Sequence, residues 1–169
     1  MAYSSISKST DYFSVKTYAG NNGSQSITGV GHQPDWIWIK KRDGSADSSV
    51  MDSVRGVRKS LTTNNAEAEY TETAALSSFD SDGFSFDGSG FDHVNTSNNF
   101  VAWCWKAGTT SGISTDGETD ITPSAYSFNA TSGVSIVKYT GTGTSGEGVP
   151  HGLGAVSYTH LTLPTILLV

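Results

Sequence analysis

Two tryptophan-rich stretches, "DWIWIKK" (residues 35–41) and "NNFVAWCWKAG" (residues 98–108), decide the fold. In an extended chain, Trp36 and Trp38 of the first stretch face one way while Ile37 and Ile39 face the other. The second stretch alternates in the same way and also has apolar residues on both faces. A strand that is apolar on both faces is covered on both faces. The two stretches therefore predict central strands of a β-sheet.

The rest of the chain favours short strands joined by tight turns. It has 169 residues, with 19 Gly, 7 Phe, 7 Tyr and 4 Trp, so it can form many turns and an aromatic core. The one helix-like window, residues 64–76, carries no continuous apolar stripe, and we expect a loop or a single helical turn there. These features predict an all-β, antiparallel β-sandwich, jelly-roll or lectin-like, of about eight to ten strands.

Charge and composition exclude several classes of protein. The net charge of −6 and the pI near 5.0 are unsuited to non-specific nucleic-acid binding, which needs a basic surface. The single cysteine, Cys104, cannot form an internal disulfide, and in a buried strand it is expected to be a small core residue. No apolar run reaches the ~20 residues that cross a bilayer, and no secretory signal opens the sequence. We expect a protein made in a cytoplasm, without membrane insertion.

Part of the pattern occurs twice. One copy begins "FSVKTYAG" at Phe13 and the other "VSIVKYTG" at Val134, and each continues through a Gly/Ser-rich turn to Gly-Val-x-His. The matched residues are Tyr18 with Tyr139, Gly20 with Gly141, and Gly29-Val30-x-His32 with Gly148-Val149-x-His151. The first copy then enters its tryptophan-rich strand, whereas the second stops at that point. The chain is predicted to hold one whole repeat and the opening of another.

The last fifteen residues differ in composition from everything before them. Converted to codons, "VSYTHLTLPT" (residues 156–165) resembles the transposon-end adapter of a short-read sequencing library translated in frame; a genuine C-terminal strand is the alternative. We therefore expect an N-terminal segment (1–11), a β-sandwich module (12–108), a linker-like segment (109–132), the truncated start of a second repeat (133–154) and a non-native tail (155–169).

Four stretches in order carry a resemblance to a known family: "YAGNNGSQSITGVGHQPDWIWIKKRD", "MDSVRG", "SSFDSDGFSF" and "FVAWCWKAG". They resemble a repeated domain of unknown function in marine bacteriophage tail proteins, especially those of podovirus-like phages of abundant ocean bacteria. The resemblance implies a virion component, a tail fibre or appendage of concatenated β-sandwich modules made in the host cytoplasm. It implies other tail subunits as partners and a homotrimer as the assembly, and it brings no settled catalytic or ligand residues.

One acidic segment is a candidate for calcium binding. In "DSDGFSFD" (residues 80–87), Asp80, Asp82 and Asp87 offer the hard oxygen ligands that Ca²⁺ prefers. The spacing is not that of an EF-hand, and an Asp-Gly pair is also what a hairpin turn requires. A turn and a calcium site therefore both remain open, with calcium the only candidate cofactor.

Six residues are candidates for contact with a carbohydrate. Tryptophan rings can stack on sugar faces, although packing in the core is the expected role of at least two of the four. An arginine and an aspartate can bind hydroxyl groups directionally, but an exposed ion pair at the end of a strand is the simpler interpretation of "MDSVRG". The candidates are Trp36, Trp38, Trp103, Trp105, Asp52 and Arg55.

The resemblance implies a structural and adhesive function, in which the module displays or contacts the host surface from a phage tail. The alternative is a lectin-like module that binds cell-surface glycans directly. A glycosidase is the third hypothesis, but it would need two carboxylates facing each other across a cleft, which the sequence does not place. We expect no enzymatic activity.

Overall fold

The computed structural model describes residues 6–88, 90–113, 115 and 119–154. After a 3-10 turn at Ser9–Asp11, these residues form eleven strands. Their bounds are β1 Phe13–Ala19, β2 Gln25–Thr28, β3 Trp36–Lys41, β4 Ser49–Asp52, β5 Lys59–Thr62, β6 Tyr70–Thr71, β7 Leu76–Asp80, β8 Gly83–Phe86, β9 Asn99–Trp105, β10 Ala125–Asn129 and β11 Val134–Lys138. The predictions for residues 1–5 and for the adapter-like tail at 155–169 lie outside the described residues.

The largest sheet has six antiparallel strands in the order β1-β9-β3-β4-β5-β6. The two tryptophan-rich strands, β3 and β9, are neighbours inside it, and they pair from Trp36 opposite Trp105 to Lys41 opposite Phe100. Strand β1 pairs with the other edge of β9 over seven residues. The predicted central position of both tryptophan-rich strands is therefore confirmed.

A three-stranded antiparallel sheet, β2-β8-β7, closes the core against the six-stranded sheet. Ile37 and Ile39 of β3 are fully buried, as are Phe84 of β8 and Phe100 of β9. Tyr18 of β1 stacks on Phe100 at a ring-centroid distance of 5.4 Å and meets Phe84 edge-on at 6.1 Å. The predicted all-β antiparallel sandwich is confirmed, with an aromatic core between the two sheets.

The prediction that at least two of the four tryptophans pack in the core is wrong. None of the four belongs to the buried core, because the two-residue period that sends Ile37 and Ile39 inward sends Trp36 and Trp38 to the outer face of the sheet. Apolar residues on both faces of a strand indicate that the strand is central, but they do not indicate which face packs against the second sheet.

Two local predictions can be compared with the structure. The Asp-Gly segment forms the predicted hairpin, in which β7 and β8 turn at Ser81 and Asp82. The window at 64–76 contains exposed, non-helical chain, then the two-residue strand β6 and a turn that leads into β7. Thr and Tyr dilute the helix-favouring Ala and Glu there, so the structure agrees with a loop.

A third, two-stranded sheet is formed by β10 and β11. Strand β10 falls within residues 109–132, the segment predicted to be linker-like. It is fixed to the chain that leaves β9, because Thr109 and Phe128 exchange both main-chain hydrogen bonds, at 3.0 and 2.9 Å. The N–H of Gly108 also donates to Ser127 Oγ at 2.8 Å. These hydrogen bonds join the segment to residues that precede it by about twenty positions, a contact that its composition did not indicate.

Candidate functional site: the tryptophan face

The outer face of the six-stranded sheet carries all four tryptophans, and we call these residues (Trp36, Trp38, Trp103 and Trp105) the tryptophan face. Each side chain is half-buried. The register places Trp36 opposite Trp105 and Trp38 opposite Trp103, with ring-centroid distances of 4.7 and 5.1 Å. Phe13 of β1 extends the first pair, with its ring 5.0 Å from that of Trp105. The result is a broad aromatic surface on two rigid strands.

Asp52 and Arg55 border this surface, because Asp52 pairs with Trp36 in the register of β3 and β4. Arg55 Nε donates to Asp52 Oδ2 at 2.5 Å, and the N–H of Arg55 donates to Asp52 Oδ1 at 2.8 Å. Only 6% of the Asp52 side chain and 11% of the Arg55 side chain are exposed. The prediction of an exposed ion pair is therefore wrong: the carboxylate is enclosed because it closes the turn that follows β4.

This buried pair is linked outward to two half-exposed charges. Arg55 lies 3.5 Å from Glu69, which lies 3.7 Å from Lys59. Arg55 also donates to the carbonyl of Val50 at 3.0 Å, so its guanidinium already has three acceptors. A ligand on the tryptophan face would therefore meet Glu69 and Lys59 before Asp52 or Arg55.

The hairpin of β10 and β11 lies over one end of the tryptophan face. A cavity of about 460 Å³ separates them, with Trp36 and Trp105 on one side and residues 133–137 on the other. We call this space the junction groove. Its walls are mostly apolar, since they consist of two indole rings and a strand of sequence Gly-Val-Ser-Ile-Val. The groove can hold an apolar or aromatic group beside the main chain of β11.

The three candidate calcium ligands do not converge. Asp82 accepts from the N–H groups of Gly29 and Gly31, at 3.0 and 2.6 Å. These two bonds hold the pKa of the Asp82 carboxyl below its usual range. The carboxylate thus fastens the loop after β2 to the β7–β8 turn.

Asp80 and Asp87 have different partners again. Asp80 accepts from the hydroxyls of Ser78 and Ser85, at 2.7 and 2.6 Å, whereas Asp87 pairs with Arg58 at 2.6 Å. Within residues 6–88, 90–113, 115 and 119–154, no three His, Cys, Asp or Glu side chains are grouped to hold a metal ion. The acidic segment is used in this structure for turns and ion pairs.

A serine–histidine contact that the sequence did not reveal lies inside the sandwich. His93 Nδ1 is 3.2 Å from Ser49 Oγ and 3.1 Å from Tyr70 Oη, and the imidazole lies 4.4 Å from the Phe91 ring at an interplanar angle of 38°. One ring nitrogen faces both hydroxyls, and the Ser49 side chain is fully buried. No carboxylate among the described residues hydrogen-bonds to the imidazole to orient it as a general base. The geometry suits a structural link between residues 44 positions apart.

Cys104 is a core residue. Its side chain is fully buried, and burial raises the pKa of its thiol to about 12. Since the thiolate is the reactive form, this sulfur is inert in the folded protein.

These features define the protein as an antiparallel β-sandwich with an aromatic outer face. The chain belongs to the family described as Domain of unknown function (DUF7483), which it matches over residues 8–162. The match spans the sandwich module, the segment after β9 and the β10–β11 hairpin. No curated protein and no solved structure matches the chain. None of the described residues forms a helix long and apolar enough to cross a membrane.

Proposed function

We propose that this chain is a structural and adhesive module of a phage tail fibre or tail appendage that displays or contacts the host surface. One observation carries the proposal. The hairpin that follows the sandwich is hydrogen-bonded to the chain leaving β9 and lies over Trp36 and Trp105. A further module that begins at β11 would be fixed through this hairpin relative to the one before it, as a fibre of stacked modules requires.

The internal sequence match supports a repeated module. In the first copy, Lys16 on β1 donates to the carbonyl of Gly29 at 2.9 Å. In the second, Ser135 on β11 donates to the carbonyl of His151 at 2.7 Å. In each copy, a side chain of the first matched strand therefore contacts the Gly-Val-x-His segment. The contacting positions differ, since Lys16 aligns with Val137 and Ser135 with Ser14, but the same strand meets the same segment in both copies.

The phage setting rests on the family resemblance. A virion protein works by forming a stable, repeated shape, and two rigid sheets with an aromatic core provide one. Other tail subunits are the proposed partners, with a homotrimer as the proposed assembly and the virion as the location.

The test is proteomics of intact particles. Phage particles should be purified from a sample that carries the gene and freed of soluble protein on a density gradient. We expect peptides from residues 8–154 to co-sediment with capsid proteins. Peptides found only in the soluble host fraction would contradict a virion role.

Direct glycan binding is the second candidate. Trp38 and Trp103 lie on the same face as the junction groove, two residues along from Trp36 and Trp105. Indole rings in such a pair can stack on the apolar face of a sugar ring. A glycan array probed with the intact chain and with Trp103→Ala tests this function. Binding that the substitution removes supports it, and no binding by the intact chain counts against it.

A further inference from the structure

Among the described residues, the main-chain groups of β11 pair with another strand on one side only. The N–H and the carbonyl of Phe128, in β10, are both hydrogen-bonded to Thr109. Ser135 lies opposite Phe128 in β11 and therefore has no main-chain hydrogen bond to Phe128. In an antiparallel pair such residues alternate with those that do exchange bonds. Hence Val134, Ile136 and Lys138 face β10, whereas Ser135 and Val137 point their N–H and C=O groups away from it.

This second edge of β11 is open in the described chain. The only strand that pairs with β11 among the described residues is β10. Residues 133–137 form a wall of the junction groove, so the edge has space beside it. An open edge with unpaired main-chain groups is a template for another strand.

Strand β1 shows what kind of strand would fit. Phe13 and Ser14 of β1 match Val134 and Ser135 of β11 in the internal repeat. In β1, every second residue, including Ser14, bonds its main chain to β9. The bonds at the two ends show this: the N–H of Lys106 donates to the carbonyl of Tyr12, and the N–H of Gly20 donates to the carbonyl of Asn98. The edge of β1 that receives β9 therefore corresponds to the open edge of β11.

We propose that the open edge of β11 accepts an extended strand of the β9 type, supplied by the following module. This inference rests on the repeated architecture proposed above. The incoming strand would run antiparallel to β11, with its counterpart of Trp105 opposite Val134 and its counterpart of Phe100 opposite Tyr139. Main-chain hydrogen bonds supply the pairing and alternate side chains supply the selectivity, as in other cases of strand addition.

Two contacts explain the selectivity. Tyr18 stacks on Phe100 in the complete module, and Tyr139 lacks this cover, with 51% of its surface exposed. The incoming strand also lies beside the junction groove, where Trp36 and Trp105 offer apolar contact to its aromatic residues. The preferred strand is therefore one with a phenylalanine near its start, small inward residues and large outward ones.

The experiment uses the intact chain and a synthetic peptide of residues 98–108, with Cys104→Ser to prevent oxidation and a fluorescent label. Two matched peptides carry N-methyl groups. One is methylated at Phe100 and Ala102, whose N–H groups face β1 in the native sheet, and the other at Val101 and Trp103, whose N–H groups face β3. Fluorescence anisotropy gives the affinity, and hydrogen exchange read by mass spectrometry gives the site.

We expect the unmodified peptide and the peptide methylated at Val101 and Trp103 to bind, and the other peptide to bind at least tenfold more weakly. Hydrogen exchange should slow at residues 134–139. Equal affinity of the two methylated peptides, or protection at residues 13–19 instead, would overturn the proposal. So would no protection when the peptide is fused to the chain through a Gly/Ser linker, since tethering raises its effective concentration to about the millimolar range. Particle proteomics is independent of these results and tests the virion role separately.

Discussion

Tyr18 and Tyr139 align in the predicted internal repeat, yet Tyr18 lies against the core and Tyr139 is 51% exposed. The Tyr18 hydroxyl donates to the carbonyl of Val94 at 2.6 Å, and its ring contacts three phenylalanines. The contrast follows from the strands beside them, because β1 has β9 as a neighbour and β11 has only β10 among the described strands.

Replacing Tyr18 by phenylalanine should destabilise the protein by about 1 kcal/mol at neutral pH, because the Val94 carbonyl loses its donor. Burial raises the pKa of Tyr18 well above its ordinary value. The unfolded chain therefore loses this proton first, and the wild type loses stability as the pH rises above about 10. The penalty of Tyr18→Phe should shrink at high pH. Urea unfolding at pH 7 and at about pH 11 measures both effects.

The matched control is Tyr139→Phe, which should change the free energy of unfolding by less than about 0.5 kcal/mol. If the two substitutions had equal effects at neutral pH, Tyr18 would not be the core residue described here.

A second matched pair is Gly20 and Gly141. A Cβ atom at Gly20 would lie 2.0 Å from the carbonyl oxygen of Thr96, whereas one at Gly141 would have no neighbour within 4 Å. We expect Gly20→Ala to cost about 1–3 kcal/mol through overpacking and Gly141→Ala to be nearly neutral. Thermal unfolding of the two variants makes the comparison. Equal melting temperatures would show that the chain around Gly20 can shift freely.

The thiol of Cys104 should be unreactive in the folded protein. With a pKa of about 12, roughly one sulfur in ten thousand is a thiolate at pH 8, and the side chain is fully buried. Ellman's reagent should therefore react only at the rate of unfolding, and at once when urea is added. Rapid labelling without denaturant would mean that β9 opens locally.

The Asp82 carboxylate should stabilise the protein in a pH-dependent way. Two N–H donors lower its pKa in the folded state, so its stabilising effect is present above the ordinary carboxyl pKa and is lost as the pH falls through the lower, folded value. Asp82→Asn should lower the melting temperature at pH 7, and the difference should close in acid.

Asp11→Asn is a suitable control for Asp82→Asn, since Asp11 is half exposed and pairs with the exposed Lys8. It should leave the melting temperature at pH 7 unchanged. A melting-temperature difference for Asp82→Asn that persisted below about pH 2 would point to steric damage rather than lost charge.

The sequence predicts the strands better than the surfaces they form. Alternation in β3 and β9 and the Asp-Gly hairpin are local patterns, so a two-residue period and turn chemistry are enough to find them. Which face holds Ile37 and which holds Trp36 depends on where the second sheet packs, which is not a local property. The ion pair of Asp52 and Arg55 was predicted, but its burial was not, for the same reason.

Two further features depend on distant parts of the chain. His93 meets Ser49 across 44 positions, and no spacing rule connects them. Strand β10 is hydrogen-bonded to Thr109 and Gly108, partners that its own sequence, Ala-Tyr-Ser-Phe-Asn, does not indicate. Its neighbour β11 could be anticipated, because it repeats the pattern of β1.

If β11 opens a second sandwich, then supplying the missing strands should complete it. In a lengthened chain, residues 1–151 would be followed by a second copy of residues 33–108, so that His151 continues as His32 does. Calorimetry and nitration of Tyr139 by tetranitromethane would compare the lengthened chain with the original. We expect a larger unfolding enthalpy, roughly in proportion to the added folded residues, and a Tyr139 ring that is protected from nitration. An unchanged unfolding enthalpy with Tyr139 still nitrated would contradict it.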